Sequence, residues 1–197
     1  MDHKYEILNS LDIERNISLD DIPNIDLYMD QVIQLFENTY GPSKRNEDEK
    51  VLTKTMINNY AKGKLLVPIK NKKYSREHLI LLSLIYQLKS GLSINDIKTT
   101  LDGLTQKINI DHDFNLENFY NIYLNLHKKN AAEFSVDLKM KVEDVTEEVS
   151  SLTDKDTEKL EKILLILSLT ASSLFYKRAA EKLIDELASS QPPKKEK

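Results

Sequence analysis

The chain has 197 residues, of which 40% are hydrophobic and 30% are charged, as is typical of a soluble globular protein with one substantial domain or two small ones. It contains no cysteine, which excludes disulfides and thiolate metal sites and favours a reducing compartment, so we expect a cytoplasmic protein. Only four glycines and five prolines interrupt the sequence, and this scarcity favours helices throughout.

The N-terminal part of the chain predicts one helix followed by an exposed loop. Charges scattered through residues 1–16 leave no uninterrupted apolar region, so we expect no secretory signal there. A helix is predicted at 26–38, because apolar side chains recur on one face and Gly41 with Pro42 follows them. The charged stretch at 43–50 is predicted to be an exposed loop.

Residues 50–76, which we name the basic segment, carry eight basic side chains and no acidic one. The formal net charge of the chain is −4 at pH 7, so with the +8 of this segment removed the remaining residues have a formal charge of −12. Clustered Lys and Arg concentrate positive potential on one surface, and a polyanion is the commonest partner for such a surface. A basic loop that is simply solvated is the alternative that charge alone leaves open.

A helix is predicted at 53–62, with Thr53 as its N-cap. Its apolar residues Met56, Ile57 and Tyr60 share one side. The helical repeat then places five polar or basic residues on the opposite side, namely Lys54, Thr55, Asn58, Asn59 and Lys62.

The remainder of the basic segment leads into two further helices. Residues 64–74 suit an extended, turning segment or a short hairpin. A helix from Ser75 to about Ser90 is apolar on nearly every side and is predicted to be the central buried helix. Ser93 and Asp96 resemble a capping box that opens the next helix.

The C-terminal half predicts three helices, at about 115–129, 136–149 and 154–189. The last would be on the order of 50 Å long at 1.5 Å per residue. Its apolar stretch, residues 163–176, is shorter than the roughly 20 residues that a membrane span requires. Because this helix is apolar on more than one side, we expect it to be covered by self-association. The final residues, 191–197, are predicted to be disordered.

The order of these elements, together with several residues within them, resembles a known family. The residues are Tyr60, Leu65-Leu66, Pro68, Tyr74-Ser75, and Gly91-Leu92-Ser93-Ile94 with Ile97. These residues resemble the DNA-binding domain of the MerR family of transcription regulators. In that family a helix ending in tyrosine leads to Gly-Leu-Leu-Pro, a wing, Tyr-Ser with a helix, and a turn into a fourth helix. The resemblance implies a winged helix-turn-helix fold.

A second resemblance covers roughly residues 15–190. The stretches "LDDIPNIDLYMDQV", "LTKTMINNY" and "LSINDIK" are similar to the uncharacterised bacterial family called domain of unknown function 1836.

The chain departs from the MerR pattern in three places. Asn58 and Asn59 stand where that family usually has an Arg-Tyr pair, the link at 39–52 is longer than a tight turn, and no wing glycine is present. Three hypotheses therefore stay open: a DNA-binding regulator, a protein-interaction module with the same fold and no DNA binding, and, ranked last because no lysine-rich amphipathic helix with large apolar anchors accompanies the basic segment, a membrane-surface adaptor that binds anionic lipid.

If the helix at 53–62 enters a major groove, asparagine amides are suited to adenine edges and Thr55 to a phosphate or a thymine methyl. Lysines and arginine would contact phosphates. The candidate DNA-binding residues are therefore Lys54, Thr55, Asn58, Asn59, Lys62, Lys64, Lys70, Lys72, Lys73 and Arg76.

Enzyme chemistry finds little support in the sequence. The four histidines are far apart and none has a metal-ligand spacing such as H-E-x-x-H. There is no glycine-rich phosphate loop and no G-x-S-x-G. We therefore expect no enzyme, no metal and no cofactor.

The sequence thus predicts an all-α protein with a MerR-like winged helix-turn-helix domain at 1–104. Residues 105–190 are predicted to be a helical dimerisation or effector region, followed by the disordered tail at 191–197. The expected partners are double-stranded DNA and a second copy of the chain, with no membrane, and the sequence names no small-molecule effector. The predicted function is a bacterial, cytoplasmic transcription regulator.

Overall fold

The computed structural model describes residues 11–111, 113–152 and 155–190. The tail predicted at 191–197 lies outside the described residues. The described chain is mostly helical, which confirms the all-α prediction. Its elements, in chain order, are β1 (Leu27–Tyr28), α1 (Met29–Tyr40), a 3₁₀ turn (Gly41–Ser43), α2 (Lys54–Lys62), β2 (Lys73–Tyr74), α3 (Arg76–Leu88), α4 (Ile94–Ile110), α5 (Leu116–Val149) and α6 (Thr157–Ser190).

The described residues divide into two compact units. The larger unit contains Arg15–Asn125 and the end of α6 from Glu181, and the smaller unit contains residues 11–14 and Leu126–Ala180.

In the larger unit, α3 lies at the centre of the core, as its sequence predicts. Eight consecutive residues of this helix, from His78 to Ile85, are buried. A helix that is apolar on every side has to be surrounded, and the residues that surround it come from α1, α2, α4 and the start of α5.

Aromatic side chains join α1 to α3. The rings of Tyr40 and Tyr86 are stacked with their centroids 4.0 Å apart, and Phe36 lies against both. Burial raises the pKa of Tyr40 to about 12, and its hydroxyl oxygen accepts a hydrogen bond from the backbone N–H of Ile17 at 3.4 Å. The segment before β1 is thereby attached to the core.

Helix starts follow the caps that the sequence predicts. The Thr53 hydroxyl accepts a hydrogen bond from the Met56 backbone N–H at 3.2 Å. Ser93 and Asp96 form a reciprocal capping box, with the Asp96 N–H donating to Ser93 Oγ at 3.2 Å and the Ser93 N–H donating to Asp96 Oδ2 at 3.3 Å. These contacts are local, which is why a short sequence pattern is enough to predict them.

The C-terminal prediction of three helices is wrong in one respect. Residues 116–149 form one continuous helix, α5, where two helices separated at 130–135 were expected. The sequence there, "NAAEFS", contains no proline or glycine to stop the helix. The long last helix is confirmed as α6.

In the smaller unit, α5 and α6 lie antiparallel. The Thr146 hydroxyl on α5 donates a hydrogen bond to the Glu161 carboxylate on α6. The seam of α5 consists of the buried side chains Ala131, Leu138, Val142 and Val149, which are spaced seven, four and seven residues apart. On α6 the half-buried positions of the smaller unit include Leu160, Leu165, Ser168, Leu169 and Ser172.

Candidate nucleic-acid interface

Helix α2 presents the polar face that its periodicity predicts. Ile57 and Tyr60 are buried in the core of the larger unit. The five predicted residues on the opposite side are all exposed, namely Lys54, Thr55, Asn58, Asn59 and Lys62. Lys54 forms an ion pair with Asp30 of α1, with Nζ 2.7 Å from Oδ1, so one basic residue of this face has an acidic neighbour.

The end of α2 has a lysine in the backbone conformation that usually belongs to glycine. Lys64 has a φ of 61°. Its N–H donates to the Ala61 carbonyl at 3.1 Å, and the next N–H, that of Leu65, donates to the Tyr60 carbonyl at 3.0 Å. These two bonds define a Schellman motif, in which the left-handed position is normally glycine because it has no Cβ.

The residues from Lys70 to Lys73, which we name the hairpin tip, form a tight turn. The Lys73 N–H donates to the Lys70 carbonyl at 2.9 Å, and both central residues are left-handed, with φ of 52° at Asn71 and 57° at Lys72. Two consecutive left-handed residues identify a type I′ turn, which favours Asn-Gly. Lysine occupies the position where glycine is preferred.

The hairpin tip is connected to the start of α1 by a small antiparallel sheet. Strand β2 pairs with β1 in the register Leu27 to Tyr74 and Tyr28 to Lys73, and an isolated bridge joins Lys70 to Lys73. Residues 66–74 therefore do not form a two-stranded wing by themselves, because the partner strand of β2 comes from before α1.

Most of the predicted basic residues beyond α2 are also exposed. Lys64, Lys70 and Lys72 are exposed, and Lys73 is half-buried. The Lys73 ammonium lies 5.3 Å from the ring centroid of Tyr28, a side chain that is itself 56% exposed. Tyr28 was not among the candidate residues, since it lies about forty-five residues away from Lys73 in the sequence and only the β1–β2 pairing brings it there.

Arg76 has a different environment from the lysines. Its guanidinium donates to the carbonyl oxygens of Ile22 at 2.6 Å and Leu19 at 2.9 Å. Its Nε lies 2.6 Å from Oε1 of Glu117. Through these bonds the guanidinium connects α3, α5 and the segment before β1, so Arg76 has a structural role and does not belong to the exposed basic surface.

His78, like Tyr28, is a residue of this region that the sequence did not single out. It is 4% exposed, and its ring nitrogens are bonded on both sides: Nδ1 lies 3.0 Å from the Ser75 backbone nitrogen and Nε2 lies 3.1 Å from the Val67 carbonyl oxygen. A signal for the first bond was present, because His78 stands three residues after the cap Ser75, where a capping box usually has Glu or Gln.

Two of the clefts that border the basic segment share Val67, Pro68 and Asn109 in their walls. The first, of about 390 Å³, contains two lysines and two carboxylates: Lys70, Lys73, Asp26 and Glu77. The second, of about 430 Å³, is bordered by Lys64 and Asp102. In each cleft the number of lysines equals the number of carboxylates, so neither cleft has the excess of positive charge that a dedicated anion site would need. Within the described ranges, no group of three or more His, Asp or Glu side chains is placed to hold a metal ion.

A second surface lies on α6 in the smaller unit. Large apolar side chains on this helix are exposed, among them Ile166 at 62%, Leu167 at 59% and Phe175 at 65%. An 18-residue window of α6 has a mean hydropathy of 1.3, and none of it is buried. By length and composition alone, this helix is the one in the described part of the chain that could cross a membrane.

Comparisons with known proteins give one result. The family model described as "Domain of unknown function (DUF1836)" matches residues 17–123, a range that contains the basic segment, α2 and the hairpin tip. No curated protein and no solved structure matches the chain.

Proposed function

The chain belongs to the family of domain of unknown function DUF1836, and we propose that it is a dimeric, cytoplasmic DNA-binding transcription regulator with a MerR-like winged helix-turn-helix domain. In this proposal α2 enters the major groove of double-stranded DNA. The hairpin tip contacts the neighbouring phosphates.

The observation that carries this proposal is the exposure of the predicted interface. Five residues of α2 are exposed together with Lys64, Lys70 and Lys72. These side chains belong to a segment with eight basic and no acidic residues, in a chain with a formal net charge of −4. A local excess of exposed positive charge is the electrostatic signature of a surface that binds a polyanion.

Backbone strain supports the same function. Lys64 and Lys72 both have left-handed backbones, a conformation that costs a residue other than glycine roughly 1–2 kcal/mol. Glycine at either position would relieve that strain, yet both positions carry a positive charge. Strain that persists at surface positions is a reason to look for function there, and phosphate contact is a function that needs lysine and that glycine cannot perform.

The side chains of α2 suit base edges and phosphates. An asparagine amide has one donor and one acceptor group and can pair bidentately with adenine, which fits Asn58 and Asn59. Lys62, at the end of the same exposed face, is suited to a phosphate. Lys64, Lys70 and Lys72 would each add a phosphate contact and make binding dependent on salt.

The order of elements supports the MerR-like reading. Helix α2 ends near Tyr60, the hairpin tip follows, and α3 and α4 come next in the chain, which is the order that the resemblance implies.

The apolar outer face of α6, which we define as Ile163, Ile166, Leu167 and Leu174, supports dimerisation. These side chains are 43% to 62% exposed, and a second copy of α6 would cover them. Asp156 and Arg178 are equally distant in sequence from Leu167, so an antiparallel pair places each Asp156 near the Arg178 of the other copy. A parallel pair would bring like charges together. A two-fold dimer then presents two copies of α2 to two half-sites.

Binding to a pool of fluorescent genomic duplexes at two salt concentrations tests the proposal. Lys70→Glu/Lys72→Glu changes two exposed lysines of the hairpin tip, and Lys128→Glu/Lys139→Glu makes the same charge change on exposed positions of α5. We expect salt-sensitive binding with enrichment of particular sequences, lost in the first variant and kept in the second. If the folded protein binds no duplex at low salt, the protein-interaction module is the correct reading; association with anionic vesicles instead would favour a membrane role for α6.

A further inference from the structure

The loop that carries the hairpin tip is closed at its base by one buried side chain. Residues 67–75 leave the core and return to it, and His78 bonds both ends of this loop. Its Nε2 lies 3.1 Å from the Val67 carbonyl oxygen, and its Nδ1 lies 3.0 Å from the Ser75 backbone nitrogen. The imidazole therefore holds the two ends of the loop together.

The hydrogen bonds assign the protonation state of the ring. The Ser75 backbone N–H can only donate, so Nδ1 must accept and carries no proton. The Val67 carbonyl can only accept, so Nε2 carries the single proton. A second proton on Nδ1 would abolish the bond from the Ser75 N–H, and on that side the ring could then donate only to the Ser75 hydroxyl oxygen, 2.8 Å from Nδ1.

We propose that His78 is a positioning residue that holds the hairpin tip in its DNA-binding shape, and that its protonation releases the tip. Acidification then lowers the affinity for DNA by changing the position of Lys70 and Lys72, while the charge of both lysines stays the same. The consequence for DNA rests on the proposed function, whereas the response of the loop to protonation does not.

The charges around His78 act in both directions. Burial is the largest influence and lowers the pKa of the imidazole below its ordinary value of 6.5, while the bond to Val67 and the carboxylates of Glu77 and Asp26 act against this. The ring also faces Tyr74, whose centroid is 5.7 Å away. The other groups of the bordering cleft are the ammonium groups of Lys70 and Lys73, the Ser75 hydroxyl, and two uncharged residues of α4, Ile108 and Asn109.

The direction of the pH effect follows from the lowered pKa. The unfolded or opened loop binds a proton more readily than the closed loop does, so closure is complete above pH 6.5 and is lost as the pH falls below that value.

DNA binding by the full-length protein at constant ionic strength, at about pH 7.5 and about pH 5.5, tests the inference. Three proteins are compared: the natural chain, His78→Gln and His127→Gln. Glutamine is the usual residue at this position of a capping box, and its amide can accept from Ser75 and donate to Val67 without titrating. His127, whose Nε2 lies 2.8 Å from the Ile13 carbonyl oxygen in the smaller unit, is the matched control.

We expect the natural chain and His127→Gln to bind DNA more weakly at the lower pH, by at most about tenfold. We expect His78→Gln to bind equally at both values. If His78→Gln shows the same pH dependence as the natural chain, or if the natural chain shows none, the inference is wrong.

A second measurement without DNA separates this inference from the proposed function. In nuclear magnetic resonance spectra, the amide signals of Asn71 and Lys72 should shift with the same midpoint as the His78 ring and stay constant in His78→Gln. This result in a protein that binds no DNA at any pH would support the role of His78 and overturn the proposed function. If the amide signals of Asn71 and Lys72 do not shift as His78 titrates, the proposed role of His78 is wrong, whether or not the protein binds DNA.

Discussion

The Nε of Arg76 lies 2.6 Å from Oε1 of Glu117, and this ion pair joins the first turn of α3 to the first turn of α5. The same guanidinium donates to the carbonyls of Leu19 and Ile22. One side chain therefore connects three parts of the larger unit. Planar guanidinium geometry suits such multiple contacts, whereas the single ammonium of lysine does not.

Arg76→Ala should destabilise the larger unit by about 2–3 kcal/mol, because two backbone carbonyls lose a charged donor as the ion pair is broken. Glu117→Gln should cost only about 0.5–1 kcal/mol, since that carboxylate is half exposed and screened by solvent. Urea unfolding measures both values. Arg45→Ala, at an exposed loop residue, is the control and should change stability by less than about 0.5 kcal/mol. Equal stability of Arg76→Ala and the natural chain would contradict this role.

Lys64→Gly and Lys72→Gly should each stabilise the fold and weaken DNA binding. Relief of roughly 1–2 kcal/mol of left-handed strain outweighs the roughly 0.5–1 kcal/mol of extra chain entropy, leaving a gain of about 0.5 kcal/mol. Each variant also loses one phosphate contact, which should reduce the salt slope of binding by about 0.9.

Lys70→Gly is the matched control for these two variants, since Lys70 is outside the left-handed pair at Asn71 and Lys72. It should weaken DNA binding without the gain in thermal stability. If the glycine variants at Lys64 and Lys72 were stabilised but bound DNA normally, these two lysines would have no part in the interface.

Asn58→Ala/Asn59→Ala and Lys62→Ala should affect DNA binding in different ways. Loss of a bidentate base contact reduces discrimination between sequences by about 1–3 kcal/mol. Loss of a phosphate contact weakens binding to every sequence by a similar factor. Competition with duplexes mutated at single base pairs distinguishes the two effects. If the natural chain and both variants showed the same sequence preference, α2 would not be the element that contacts bases in the major groove.

Disulfide formation between cysteine variants tests the antiparallel α6 pair. The natural chain has no cysteine, so Ile163→Cys and Ala171→Cys, both at exposed positions, each introduce a single thiol. In an antiparallel pair centred on Leu167, residue 163 of one copy lies opposite residue 171 of the other, whereas equivalent positions are about 12 Å apart along the axis for both residues, at a rise of 1.5 Å per residue. Both separations exceed the reach of a disulfide.

We therefore expect a cross-linked dimer when the two variants are mixed, and little when either is oxidised alone. Efficient cross-linking of each variant with itself would indicate a parallel pair. Light scattering that shows a monomer at micromolar concentration would contradict dimerisation itself. Leu167→Asp provides a monomeric reference, because it places a charge at the centre of the apolar face.

Much of the helical part of the fold follows from local patterns. The N-caps at Thr53 and Ser93 and the buried side of α3 were predicted, since caps and helical periodicity involve residues three or four positions apart. The continuity of α5 was missed, although residues 130–135, "NAAEFS", contain no proline or glycine and all tolerate a helix.

Sequence by itself determined the helical class, the family and the concentration of positive charge at 50–76, because composition and short spacings carry that information. Tertiary structure alone decided the separate roles of the residues within that segment. Arg76 bonds to Ile22, 54 positions away, and Lys73 meets Tyr28 through the β1–β2 pairing. His78 closes a loop by reaching Val67. Such contacts depend on the path of the whole chain, and no local pattern specifies that path.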